Sequence, residues 1–204
     1  MQKIFFTCLI ALGMSLSSQG FAQDTTQTTP EAQEAPKPTT TDDETFPVAQ
    51  DPKDVPGAEY VTEEHGDWKI ICTSKGKDIK PNCRLYQLLK DDTGSPVAEF
   101  GIIALAKNAQ AAAGVNFVTP LGTLLTAQAS MRIDAGQTKR YPFSWCEQAG
   151  CITRFGLTKP ELDNLKKGNK AVMTITAVAL PNDPIPLNVS LTGFTSAWDS
   201  LNKE

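Results

Sequence analysis

Leu125-Thr126-Ala127-Gln128-Ala129-Ser130-Met131-Arg132-Ile133-Asp134 alternates apolar and polar side chains for ten positions. A period of two sends successive side chains to opposite faces, so the run predicts a half-buried strand over 125–134. Ala127, Ala129, Met131 and Ile133 are expected inside, with Gln128, Ser130 and Arg132 outside. The same signature recurs over 173–177 and 187–192, and Tyr141, Phe143 and Trp145 set three aromatics on one face of another extended run, for which packing in a core is the first expectation and a ligand platform the second. Further strands are predicted over 68–73, 83–89, 97–105, 114–118 and 151–155. Eight or nine short strands separated by turn signals predict a mainly β fold, an antiparallel sandwich with a barrel-like closure as the alternative.

One or two short helices interrupt this pattern. Thr158 and Glu161 have capping-box spacing, Pro160 falls in the first turn, Leu162 and Leu165 share a face, and Gly168 follows Lys166 and Lys167 as a stop. A second helix is expected over 195–201, where Trp198 and Leu201 can pack on a sheet.

The pattern fails towards the N-terminus. Lys3 precedes a short apolar run, and small residues lead to Gly20-Phe21-Ala22, so residues 1–22 read as an export signal cut between Ala22 and Gln23. No later run reaches the roughly 18 apolar residues of a membrane helix. Residues 23–60 carry nine acids against Lys37 and Lys53, six prolines and few large apolar side chains. Such composition cannot bury enough surface to offset ordering, which predicts a disordered acidic spacer before one domain over 61–204. With +1 in the signal and −7 in the spacer, the whole-chain charge of −4 leaves +2 for residues 61–204. A near-neutral domain of this kind lacks the basic stripe that nucleic acid requires.

Export changes the reading of the cysteines. Cys8 is expected to leave with the signal, and in an oxidising compartment nearby thiols become staples, so proximity along the chain favours Cys72 with Cys83 and Cys146 with Cys151 among the three pairings the remaining four cysteines allow. Zinc would want tighter ligand pairs and redox chemistry a C-x-x-C, so neither is the expected use.

Trp68-Lys69-Ile70-Ile71-Cys72, the strand opening at Cys83, Thr119-Pro120-Leu121-Gly122 with the alternating run after it, Phe143…Cys146…Gly150-Cys151 and Ser190-Leu191-Thr192-Gly193-Phe194-Thr195-Ser196-Ala197 follow one another in this order. Together they resemble the invasion-associated locus B (IalB) family over residues 65–201. The resemblance implies an exported, mostly β protein of the periplasm or cell envelope, including secreted or outer-membrane-associated forms, in a family named for promoting host-cell invasion. It supplies no catalytic residues, and the acidic spacer is not part of the pattern.

The residues themselves point away from catalysis. The one histidine, His65, lies beside Glu63, Glu64 and Asp67 at the spacer–domain junction, and any Ser-His-Asp or Cys-His arrangement would have to use it. An exposed junction residue is the expected role. Phosphate-loop, dinucleotide and HExxH patterns do not occur, and no cofactor or metal is expected. Asn188-Val189-Ser190, formally a glycosylation sequon, reads as the polar face of a strand. Lys75, Lys77 and Lys80 make the 73–82 loop basic. The function expected is binding of a protein or envelope component by a non-catalytic protein; the alternative is an envelope hydrolase or carbohydrate-processing enzyme.

Overall fold

The computed structural model describes residues 48–203. The export signal, its Ala22–Gln23 cut and most of the acidic spacer lie outside the described residues. Among the described residues eleven strands are present: β1 (Glu59–His65), β2 (Trp68–Thr73), β3 (Asn82–Lys90), β4 (Pro96–Ala104), β5 (Ala113–Thr119), β6 (Ala129–Ile133), β7 (Lys139–Tyr141), β8 (Trp145–Glu147), β9 (Gly150–Leu157), β10 (Lys170–Ala177) and β11 (Leu180–Ser190). Two helices join them, α1 (Lys159–Lys167) and α2 (Phe194–Leu201). A seven-stranded antiparallel sheet in the order β1-β2-β3-β4-β5-β9-β8 and a four-stranded one in the order β11-β10-β6-β7 form the two layers of a sandwich, and neither closes into a barrel.

Alternate side chains fill the space between the layers. Leu85, Leu89, Phe100, Ile102, Val115 and Phe117 from one sheet share a core with Ala129, Met131, Met173, Ile175, Leu187 and Val189 from the other. A run of ring contacts, Phe117–Phe100–Trp68–Phe194–Trp198, carries the core to α2. Helix α1 has the capping box its sequence predicts, Thr158 and Glu161 each bonding the other's backbone N–H, and it buries Leu162 and Leu165.

Three expectations about the elements and their bounds need correction. The 125–134 run is a strand only over Ala129–Ile133. Thr123 already bridges Ala177, and Leu124 N donates to Thr176 O at 2.7 Å. From that bridge to the Ser130↔Thr174 pair, β10 moves three residues while the other chain moves seven. The surplus is taken up by a 3-10 turn at Leu125–Ala127 and a positive φ of 60° at Gln128. Within the surviving strand Ala129 and Met131 are buried and Ile133 half-buried, with Arg132 exposed and Ser130 half-buried, but Ala127 is not a core strand residue.

The aromatic run also divides. Tyr141 belongs to the four-stranded sheet and Trp145 to the seven-stranded one, because the chain crosses between layers at 142–144. Tyr141 and Phe143 pack against the core, whereas Trp145 is 44% exposed, which overturns its assignment to the core.

The folded unit, finally, begins before residue 61. Asp51 caps a 3-10 turn at Pro52–Asp54, Ser74 Oγ donates to Lys53 O at 2.5 Å, and Gly57 and Ala58 exchange backbone bonds with Ser74. These bonds and the β1–β2 pairing give residues 51–60 partners that their polar composition does not reveal.

Candidate functional site

His65 ends β1, half-buried rather than exposed, with Nε2 2.7 Å from Glu63 Oε2. The same carboxylate oxygen accepts from Ser200 Oγ at 2.7 Å, and these two bonds hold Glu63 below the ordinary carboxylate range. The hydroxyl thus meets a carboxylate and not the imidazole, so this trio lacks the nucleophile–base contact of a hydrolase triad. Its effect is to fasten α2 to β1.

A polar clamp lies next to it. Trp68 Nε1 donates to Ser190 O at 2.8 Å, Gln87 Oε1 accepts from Ser190 N at 2.8 Å, and Gln87 Nε2 donates back to Ser190 O at 3.1 Å. Ser190 Oγ donates to Asp67 Oδ2 at 2.5 Å. Gly193, with φ of +83°, lets the chain pass against the β1–β2 turn, where a Cβ would fall 2.0 Å from His65 O. The Trp68 and Ser190–Phe194 segments are therefore far apart in sequence and joined in space. A cleft of about 640 Å³ opens beside them, lined by Asp67, Lys69, Tyr86, Lys90 and Asn188 among others.

A second polar cluster sits where α1 meets β7. Lys139 Nζ donates to Glu161 Oε1 at 2.6 Å, and Thr158 N and Oγ1 donate to Oε2 at 2.8 and 2.6 Å. Burial alone would raise the Glu161 pKa, but the Lys139 and Thr158 bonds outweigh it and hold the carboxyl below its usual range. Burial, then the facing Glu161 charge, pushes the Tyr141 phenol up to about 12. One group stays ionised and the other neutral around pH 7, so neither is tuned as a general acid or base there. Among the described residues no group of three or more His, Cys, Asp or Glu is placed to hold a metal.

The cysteines pair as their spacing predicts, Cys72 with Cys83 and Cys146 with Cys151. Each pair sits directly opposite across two antiparallel strands, β2–β3 and β8–β9. Gly150 makes the second hairpin possible: its φ is +144°, and a Cβ there would fall 2.3 Å from Thr119 O.

The β8–β9 hairpin borders the outer face of the seven-stranded sheet. Residues paired across neighbouring strands share a face. The register Lys69↔Tyr86↔Gly101↔Asn116↔Arg154 forms one row across five strands, roughly 19 Å long, with a notch at Gly101. The adjacent row runs Leu88, Glu99, Val118, Ile152 and ends at Trp145. Their strand neighbours Leu85, Phe100, Val115 and Phe117 point into the core, so both rows lie on the outer face. The helices pack through Leu162, Leu165, Phe194 and Trp198 on the core side and leave this face open. Arg154 lies over the Trp145 ring, 5.8 Å from its centroid, while Ile152 is buried beside it. Arg84 makes a two-pronged bridge to Glu59 at 2.7 and 3.0 Å near the notch. Tyr86, Asn116 and Arg154 went unmarked in the sequence because polar positions of alternating strands look the same whether they meet water or a ligand. The basic 73–82 loop leaves Lys75 and Lys77 exposed.

The matching family model, described as "Invasion associated locus B (IalB) protein", covers residues 68–202. The chain belongs to the IalB family. Invasion protein B homologs of Brucella abortus strain 2308 and of Brucella abortus biovar 1 strain 9-941 are each 30% identical over 147 residues, 71% of this chain and 81% of theirs. The crystal structure of invasion associated protein b from Bartonella henselae is similar with a TM-score of 0.54 and 26% identity, over 71% of this chain and 95% of that one. In this IalB chain the family-like segments map onto the clamp at Ser190, the two disulfide hairpins and the loop after β5. These are joints of the sandwich. No helix among the described residues is long and apolar enough to cross a membrane.

Proposed function

We propose that this IalB protein is exported to the periplasm or cell envelope and acts by binding, without catalysis, through the outer face of its seven-stranded sheet. The observation that carries the reading is Trp145, an exposed indole with the Arg154 guanidinium 5.8 Å from its ring centroid, ending the row beside that of Tyr86, Asn116 and Arg154. A rigid aromatic face offers contact area at low entropic cost, and neighbouring planar polar groups give it direction; such residues dominate binding energy at interfaces. The polar trios elsewhere are satisfied internally, which supports structural roles for them. Two disulfides suit an oxidising compartment, and the names of the relatives support a part in host-cell invasion.

The test is capture from cell-envelope and host-membrane extracts by the folded chain and by its Trp145→Ala/Arg154→Ala variant. A partner retained by the native chain, and by a Lys75→Ala/Lys77→Ala control, but lost from the face variant supports the reading. Equal capture by all three would place the binding elsewhere. Turnover of envelope glycans or peptides by the native chain would favour the enzymatic alternative.

A further inference from the structure

Four exposed aliphatic side chains gather at one end of the four-stranded sheet. Leu121 is 62% exposed, Leu125 42%, Val178 58% and Leu180 53%. They come from two segments that hold each other: Val178 N donates to Gly122 O at 2.8 Å, Thr123 bridges Ala177, and Leu180 pairs with Ala177. Neither 120–127 nor 177–181 contains an ionisable side chain. Arg140 stands at the shoulder, its guanidinium donating to Ala127 O at 3.1 Å, and Arg132 lies farther along the same sheet. Neither arginine forms a salt bridge among the described residues, and Asp183 is the acid present at this end.

We infer that this apolar tip inserts into the interfacial layer of an anionic phospholipid bilayer, with Arg140 meeting the headgroups. The side chains are all aliphatic and none lines the clefts described above, so they suit fluid acyl chains better than a specific protein pocket. Burying them in the acyl boundary removes apolar area from water, and a guanidinium at headgroup level adds attraction to anionic lipid. The backbone bonds between the two segments pre-form the tip, so insertion does not have to order it. None of the four residues belongs to the two rows of the Trp145 face, and the test reads lipid binding rather than partner capture, so its outcome is distinguishable from that of the binding reading.

Sedimentation of the full exported chain with phosphatidylglycerol/phosphatidylcholine vesicles, and with phosphatidylcholine alone, provides that test. The native chain is expected to co-sediment with the anionic vesicles. Leu121→Asp/Val178→Asp, at exposed positions, should lower the bound fraction by about tenfold or more. Arg140→Gln should weaken binding to anionic vesicles only, and salt should do the same. A Val178→Trp variant reads insertion directly: the emission of its added indole should shift to the blue and be quenched by brominated acyl chains. The inference is overturned if the native chain stays in the supernatant, if the double Asp variant binds as well, or if the added emission of the Val178→Trp variant ignores the vesicles. It is equally overturned if the double Asp variant merely converts a native dimer into a monomer, since the tip would then face a second copy.

Discussion

At Gly193 the backbone takes φ of +83° and leaves no room for a Cβ beside His65 O. Gly193→Ala should therefore cost on the order of 3 kcal/mol, from a strained φ together with a forced separation of the β1–β2 turn from α2. Gly94 has nearly the same φ, +86°, with open space around it, so Gly94→Ala should cost only about 1 kcal/mol. Paired urea unfolding curves separate conformation from contact, and equal losses would contradict the close approach. Glu161 makes a second test at this scale. Its folded pKa lies below the ordinary 4.5, so its stabilisation is complete above the unfolded-state value and is lost as pH falls through the folded one. Glu161→Gln should flatten the fall in stability below pH 4.5 and, by weakening the capping box, cost about 1 kcal/mol at neutral pH.

Two hairpins carry the cross-links that shape the large sheet. Removing the Cys72–Cys83 staple by a Cys72→Ala/Cys83→Ala exchange should lower stability by about 3 kcal/mol, and the shorter Cys146–Cys151 loop by about 2. Protein cut after Ala22, and so without Cys8, should show no free thiol under denaturing, non-reducing conditions. These elements were legible because their signals are local: cysteines flanking a turn, a capping box with its leucines, alternation bounded by turn residues. Helix α1 needs nothing beyond its own nine residues and the Thr158 cap to announce itself. The 125–134 run misleads for the opposite reason, since Thr123 already takes the place opposite Ala177 and leaves 125–128 as a surplus that turns out of the sheet, and register cannot be read from one strand. Trp145 misleads likewise, as alternation carries no notice that the chain changes sheets between Tyr141 and Trp145.

Across the described residues two layers, the larger one pinned by both disulfides, enclose one core, and the two helices leave the outer face of that larger layer open. The sandwich and its family membership could be read from strand spacing and the order of the cysteine, glycine and tryptophan segments. The proposed binding face could not, because the face exists only once Tyr86, Asn116 and Arg154 are brought side by side from β3, β5 and β9. The start of the fold was hidden too, in residues 51–60, whose polar composition conceals a 3-10 turn and the first residues of β1. A chain beginning at Val48 should consequently unfold cooperatively at a higher temperature than one beginning at Val61, which loses the Ser74–Lys53 bond and the Tyr60 packing. The most direct test of function by binding is complementation of host-cell entry in a strain lacking this gene, comparing His65→Ala with Trp145→Ala/Arg154→Ala at equal export and stability. Entry should be restored by the His65 variant and lost with the face variant. Loss with His65→Ala and full restoration by the face variant would contradict the account and move attention to chemistry at Glu63, His65 and Ser200.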